Sequence, residues 1–317
     1  MLYIHSLQEA EEVFKALSTP MRLRIMELIY KNNHLSMNDL ADALGLTNSA
    51  ISLHVGKLEN AGLVTIQTTS GKRGVMKIVQ PIYGRLIVDM TPDSQPGTRP
   101  CYQDSISVGH YAFADVHPTC GLSNSKNIIG ELDEPRVFSY PERFSAGILW
   151  IGWGSILYNL PNRLNPGQRL TELQISFEIS SECPETNEDY PSDIYFEING
   201  ISLGKWISPG DFGARRGMLS PIWWSELLNQ YGLLKTLIIN RNGTFIDGTH
   251  NQISKTTIMD LNIDYNSNID FKFSVPKDTA NCGGMTLFGE DFGDYSQNIL
   301  VKAYYENISG DDRQTTR

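Results

Sequence analysis

Residues 19–80 hold the pattern that most narrows what this chain can fold into. Thr19-Pro20 precedes Leu23, Met26, Ile29 and Tyr30 at helical spacing. That spacing predicts a helix capped by Thr19, opened by Pro20 and buried along that face. Ser36 with Asp39 three residues on is a capping pair, with Asp where Glu or Gln is usual. Leu40, Ala43 and Leu44 then supply the apolar side of a second helix, and Gly45 fits the left-handed residue that ends it. Thr47 caps a third helix whose Ile51, Val55 and Leu58 recur at one helical face, and Gly62 stops it. A ribbon follows: Leu63 to Gln67 outward, a tip from Thr68 to Gly74, and Val75 to Val79 returning.

The side of the third helix left outside is informative. At about 100° per residue, the face opposite Ile51 carries Ser49, Ser52, Leu53, Gly56, Lys57 and Asn60. Asn48 and His54 flank it. A helix entering a major groove needs short donors for base edges, a residue without a side chain for close approach, and a cation for phosphate. Leu53 suits a thymine methyl. Two glycines bracket Lys72-Arg73 at the ribbon tip, which places two charges where phosphates or a minor groove can be reached. Taken singly, each feature fits an ordinary solvated face or hairpin. Turn, spacing and hairpin together favour DNA reading, with Thr47, Asn48, Ser49, Ser52, Leu53, His54, Lys57, Lys72 and Arg73 as contacts.

On these residues the first 80 or so positions resemble the ArsR-type winged helix-turn-helix repressors. The likeness is most specific at Ser49-Ala50-Ile51-Ser52-Leu53-His54-Val55 and at the Ala61-Gly62-Leu63-Val64 exit. The resemblance implies a dimeric, effector-controlled repressor on a two-fold operator. Many such proteins sense metals through paired cysteines in a Leu-Cys-Val-Cys-Asp-Leu segment. Here the segment reads Leu35-Ser36-Met37-Asn38-Asp39-Leu40, without either thiolate, and the acidic and histidine ligands of a last dimer helix are missing from Ile82 to Asp89. No metal or cofactor is expected.

At 317 residues the chain suggests two domains. No run approaches a membrane span, and residues 1–18 form a charged amphipathic pattern, expected as a packing or dimer helix, rather than a secretory signal. The four cysteines are scattered, which fits reduced thiols and a cytoplasmic location. The net charge of −10 divides unevenly: residues 1–80 hold 8 basic and 7 acidic residues, and residues 81–317 hold 18 and 29. A near-neutral reader followed by an acidic remainder is expected, the latter kept away from phosphate.

The expected fold is multidomain. An α+β winged helix (1–81) and a linker (82–100) precede an all-β sandwich or jelly roll (101–306) and a disordered tail (307–317). Thr91 to Pro100 contains three prolines and a glycine. Alternating runs predict strands at Ile106–Val116, Gly147–Ile151, Ser155–Asn159, Leu170–Ile179, Asp193–Ile198, Ser202–Trp206, Leu234–Ile239, Thr257–Ile263, Asp270–Val275, Met285–Phe288 and Asn298–Tyr305. Asn199-Gly200 and Asn242-Gly243 are hairpin signals, and Ile222–Gln230 is read as one or two helical turns.

All five tryptophans lie in this second part. Trp206, Asp211, Arg215, Trp223 and Trp224 have the ingredients of a site for a small polar effector such as a carbohydrate: aromatic faces with groups that fix hydroxyls. Core tryptophans and a surface ion pair are the plainer reading of the same residues. His110, His117 and Cys120 fall short of the ligand count a structural metal needs. Glu131, Asp133 and Glu134, or Glu178 and Glu182, offer carboxylates that nothing singles out as a catalytic pair. The reading is a non-enzymatic DNA-binding regulator, a homodimer on duplex DNA whose β-sandwich senses an effector. A sandwich used only for dimerisation or protein contact, or a sugar-processing enzyme fused to a winged helix, are the alternatives.

Overall fold

A computed structural model describes residues 2–4, 6–32, 35–71, 74–84, 86–88 and 99–308. The chain divides into two compact units, residues 1–98 and 99–317.

The first unit runs β1 (Leu2–Ile4), α1 (Leu7–Leu17), α2 (Pro20–Lys31), β2 (Leu35–Ser36), α3 (Met37–Leu44), α4 (Asn48–Asn60), β3 (Val64–Gly71), β4 (Gly74–Pro81) and β5 (Leu86–Val88). Its helices begin and end where local chemistry dictates. Ser36 and Asp39 close a reciprocal capping box, Asp39 N–H donating to Ser36 Oγ at 3.2 Å and Ser36 N–H to Asp39 Oδ2 at 2.8 Å. The Ser36 hydroxyl, donating to Asp39 Oδ2 at 2.7 Å, and then the Ser36 N–H hold the Asp39 carboxyl below its usual range. Gly45 ends α3 in the left-handed region at φ 64°. Thr19 occupies the cap position of α2, but its hydroxyl makes no cap bond and is buried without a partner among the described residues. Pro20 alone carries that helix start.

The buried face of α2 differs from expectation. α2 buries Arg22, Ile25 and Ile29, while Leu23 and Tyr30 stay exposed. Arg22 turns inward because α1 ends against it: Nη2 donates to the Lys15 carbonyl at 2.7 Å and Nε to that of Ala16. The guanidinium thus serves carbonyls that the end of α1 leaves unpaired. α1 buries Ala10, Val13 and Ala16, and Leu7 and Phe14 face outward. The segment ahead of α1 is a strand, not helix. β1 pairs in parallel with β5, Leu2 opposite Leu86 and Ile4 opposite Val88, so a strand lies within the stretch read as linker. Residues 91–98, most of the proline-rich part of that linker, lie outside the described residues, as do 309–317 of the tail.

The second unit is all β: β6 (Cys101–Ile106), β7 (Phe113–Ser123), β8 (Ile128–Ile129), β9 (Ile148–Leu160), β10 (Gln168–Ser180), β11 (Ser192–Ile198), β12 (Ile201–Ser208), β13 (Leu233–Asn240), β14 (Gly243–Ile246), β15 (Gln252–Ser254), β16 (Ile269–Val275), β17 (Met285–Phe288) and β18 (Ile299–Asn307). One layer runs β12-β11-β16-β9-β7 and the other β6-β18-β10-β13-β14-β15. β17 pairs with both β9 and β10 and joins the two layers. Period-two burial sends Ile194, Phe196 and Ile198, Phe271 and Phe273, Ile156 and Tyr158, and Leu173 to Ile179 into one core. Phe177 sits at its centre, with ring centroids 4.9 Å from Phe273 and 5.7 Å from Phe196.

Several strand limits moved. Ser107–Ala112 bends instead of continuing a strand, and Arg143 Nη1 takes the carbonyls of Gly109 and Tyr111 there at 2.9 and 2.6 Å. β9 runs unbroken through Gly152-Trp153-Gly154, because a Cβ at Gly152 would meet the Pro118 carbonyl at 2.4 Å; glycine here permits strand contact rather than ending the strand. Thr257–Ile263 forms turns closed by Thr257 and Asp260 bonding to each other, Thr257 N–H to Oδ2 at 2.8 Å. Ile222–Gln230 also makes only isolated turns. Both Asn-Gly pairs do form hairpins, β11–β12 and β13–β14, with Asn199 and Gly200 at φ 50° and 76° as that tight turn requires.

Because Phe177 is enclosed by other rings, Phe177→Ala leaves a void that its neighbours cannot fill. We expect it to cost about 3–5 kcal/mol, read as a lowered denaturant midpoint of the sandwich transition.

Candidate nucleic-acid interface

α4 is fixed from behind and open in front. Thr47 Oγ1 accepts from Ala50 N–H at 3.3 Å to start it, and Ile51, Val55 and Leu58 are fully buried. On the other side Asn48, Ser49, Ser52, Lys57 and Asn60 are exposed, Leu53 is 70% exposed, and His54 and Gly56 are half-exposed. The sequence placed this face correctly. Gly56 has a further property: a Cβ built there would have no atom within 4 Å. Nothing inside the protein asks for glycine at this helix-interior position.

Behind α4, β3 and β4 pair in antiparallel register from Val64–Pro81 to Gly71–Gly74, and β2 adds a third strand through Leu35–Val79. The ribbon is therefore held at its base by the same unit that buries α4. Its tip residues Lys72 and Arg73 lie outside the described residues.

In the sandwich, the five residues read as an effector site do not form one. Asp211 is fully buried, its Oδ2 accepting from Cys183 N–H at 3.2 Å and Asn229 Nδ2 at 3.0 Å. Trp224 is enclosed beside Trp150 and Phe292, with Nε1 bonded to the Asn229 carbonyl at 2.9 Å. Arg215 pairs with Asp294, not Asp211, at 3.0 and 2.5 Å, and its guanidinium lies 3.9 Å over the Tyr231 ring. Trp206 packs partly on the core under the Lys235 ammonium. Trp223 is exposed, its Nε1 tied to the Ser125 carbonyl at 2.7 Å. Beside it Ile222 is 94% exposed, with Met218 and Leu227 also outside. Arg216 holds this loop in shape by donating to the carbonyls of Pro221, Ile222 and Trp224.

Of the possible metal ligands, His117 stacks flat on Trp153, His110 meets the edge of Phe144, and Cys120 is buried with its thiol pushed up to about 12 by desolvation. Among the described residues no group of three or more His, Cys, Asp or Glu is placed to hold a metal ion.

Glu178 and Glu182, which nothing in the sequence singled out, and Asp211, which was read as an effector contact, are buried carboxylates. Glu178 accepts backbone N–H bonds from Gly232, Asp294 and Tyr295 at 2.8–3.0 Å. Burial raises it to about 7 despite those bonds. Glu182 accepts from Asn229 Nδ2 at 2.6 Å, the same nitrogen that serves Asp211. Burial, then the neighbouring Asp211 carboxylate, raises Glu182 to about 8. Burial raises Asp211 to about 7. Only the polar character of Ser180-Ser181-Glu182 directly after a strand hinted at this.

The first unit is a winged helix-turn-helix DNA-binding domain, with a capped helix presenting its outer face and a ribbon behind it. Residues 19–65 match the winged helix-turn-helix DNA-binding family. The chain is 29% identical over 113 residues to the HTH-type transcriptional regulator NmtR of Mycobacterium tuberculosis (strain ATCC 25618 / H37Rv), covering 36% of this chain and 82% of that protein. The chain is thus a DNA-binding transcriptional regulator with an appended all-β unit. Two solved structures are similar at low scores. The CBM36-1 domain of a multidomain xylanase from the hindgut metagenome of Trinervitermes trinervoides matches at TM-score 0.28 and 8% identity, over 64% of this chain and 96% of that one. Dimeric latent PorU from Porphyromonas gingivalis matches at TM-score 0.25 and 12% identity, over 64% and 14%. Likeness at that level says nothing about a ligand. No helix among the described residues is long and apolar enough to cross a membrane.

Since the space around Gly56 is open, Gly56→Ala is expected to stabilise the first unit by about 0.5–1 kcal/mol through helix propensity, measured as a raised thermal midpoint.

Proposed function

We propose that this chain is a cytoplasmic, dimeric transcriptional repressor whose α4 helices enter successive major grooves about 34 Å apart. The observation that carries this reading is the solvent-facing side of α4: small polar residues, one lysine and a glycine, on a helix whose opposite side is wholly buried. Ser49, Ser52 and Asn48 address base edges, Leu53 a thymine methyl, Lys57 a phosphate, and His54 and Thr47 the flanks. Lys72 and Arg73 of the ribbon tip add phosphate contacts. The acidic second part of the chain is repelled by phosphate and stays off the duplex.

Ser52→Ala combined with Lys57→Ala is expected to abolish operator binding in a mobility-shift assay while leaving the circular dichroism spectrum and thermal midpoint unchanged. Both side chains are exposed, so their loss removes no packing. Retained operator binding by this folded double variant rejects α4 as the reader.

The sandwich in this proposal is a non-catalytic sensor of a small polar effector, with carbohydrates the first class to test. The effector acts by its different affinity for two arrangements of the dimer. Support for a non-catalytic role comes from the carboxylates with raised pKa, which are all closed to solvent and so out of a substrate's reach. A second reading, that the sandwich is a protein-contact or dimerisation module, is favoured by the exposed Met218, Ile222, Trp223 and Leu227 on one braced loop. Thermal-shift screening against a panel of sugars separates the two. A sugar that raises the sandwich midpoint and is not turned over supports the sensor; no shift across the panel favours the contact module; turnover of a hit would make the unit an enzyme.

A further inference from the structure

Residues 209–232 cross from β12 to β13 without a strand of their own. They are held by isolated pairings of Asp211 with Asn187 and of Phe212 with Tyr231, by the Arg215–Asp294 ion pair, by Trp224 against Phe292, and by a buried polar junction. At that junction Asn229 Nδ2 lies 2.6 Å from Glu182 Oε2, 3.0 Å from Asp211 Oδ2 and 2.8 Å from Thr286 Oγ1. An amide nitrogen has two hydrogens for those three acceptors. Thr286 can turn its own hydroxyl toward Glu182 Oε2 at 3.3 Å, which leaves the amide for the two carboxyls.

The charge balance of the junction is unusual. Asp211 is fully buried and Glu182 nearly so, and among the described residues no Lys, Arg or His forms an ion pair with either. The groups that face them are Cys183, whose N–H and Sγ both approach Asp211, Thr119 and Cys120 of β7, and Thr286 of β17. None supplies a positive charge. Among the described residues, Asp211 Oδ1 and the adjoining Ser181 Oγ are closed off with no hydrogen-bond partner. Two carboxylates joined through one neutral amide in a closed space cannot both stay ionised, so one of them keeps its proton.

We propose that Glu182 and Asp211 hold one proton between them, and that its loss to water as pH rises leaves two unpaired buried carboxylates whose repulsion opens the junction and loosens residues 209–232 around it, making the order of this segment a function of pH. The sign follows from linkage. Burial raises both carboxyls above their ordinary range, and the neighbouring Asp211 carboxylate raises Glu182 further, so Glu182 is the one that keeps the proton. The closed form therefore holds a proton that the opened form gives up above the ordinary carboxyl range. Closure is strongest at mildly acid pH and weakens, about tenfold in the opening constant per pH unit for one proton, until pH passes the raised value. Glu178 fixes the end of the segment at Gly232 separately, with Asp294 and Arg215 as its charged neighbours.

The test is amide hydrogen exchange on the full chain in EDTA at about pH 5.5, 6.5, 7.5 and 8.5, corrected for intrinsic exchange. In the native sequence, protection across residues 209–231 is expected to fall about tenfold per pH unit up to about pH 8 and then level off. Glu182→Gln, which mimics the protonated acid, is expected to flatten that slope; Asp211→Asn makes the same comparison from the other carboxyl, should the first variant be unstable. A flat profile in the native sequence, or an undiminished slope in a folded variant, overturns the proposal. So does a slope abolished by replacing EDTA with calcium chloride, which would assign the pair to a cation rather than a proton.

Discussion

A helix can offer a face to a partner only when its other face is committed beyond competition. α4 meets that condition through Ile51, Val55 and Leu58, each fully buried among the helices of its own unit. Burying side chains of this size contributes about 1.5–3 kcal/mol each, far more than any interaction the exposed serines make within the chain. The rotation of the helix about its axis is therefore set by the core, and the positions of Ser49, Ser52, Leu53 and Lys57 follow from it. The ends are fixed with similar economy. Thr47 caps the start, Gly62 turns the chain at φ 69°, and β3 begins at Val64. The ribbon base is anchored through Leu35 to the residue that opens the α3 capping box, so cap, strand and ribbon share one short segment.

The sandwich handles buried charge in two ways, and the contrast explains the junction at Asn229. Asp193 is also buried, yet it meets the Lys205 ammonium at 2.8 Å, with Asn281 and Thr279 donating as well. Burial pushes its carboxyl up, but these partners outweigh it and hold the group near 2. Glu182 and Asp211 have an amide, hydroxyls and a thiol in place of a cation, and both are pushed up. The partner differs, and so does the setting, since the Lys205 side chain beside Asp193 is 36% exposed. A carboxylate with an ammonium is a fixed strut at any ordinary pH, whereas a carboxyl pair around a neutral amide depends on a proton that water can take.

Much of the first unit was legible in its sequence because its signals are local. Caps at Ser36 and Thr47, left-handed glycines at 45 and 62, and the Ile51-Val55-Leu58 spacing act within a few residues, and the structure uses each of them. Arg22 was not legible. Its burial depends on where α1 ends, which periodicity along α2 does not encode, and the face of α2 was misjudged for that reason. In the sandwich, strands with strict alternation such as Ile269 to Val275 were readable. Glycines at 152 and 154 looked like a break but mark a close approach of backbones. Of the residues read as effector contacts, Trp206 lies on β12, and Asp211, Arg215, Trp223 and Trp224 lie on the loop after it, where periodicity gives no direction to a side chain. Whether Asp211 or Trp224 points inward depends on Glu182, Asn229 and Phe292, residues distant in the chain.

Gly56 shows how function separates from stability in such a chain. A glycine inside a helix is unfavourable relative to alanine by about 0.5–1 kcal/mol, and one is kept in folded proteins when a side chain would collide or when the backbone must adopt an unusual angle. Neither holds here: the space is open and the residue is ordinary helix. Two explanations remain, indifference of the position or a surface outside the protein that must come close. Gly56 lies between Ser52 and Asn60 on the one face that the core leaves free. That placement favours the second explanation, because a groove wall is the kind of surface against which even a methyl group obstructs approach.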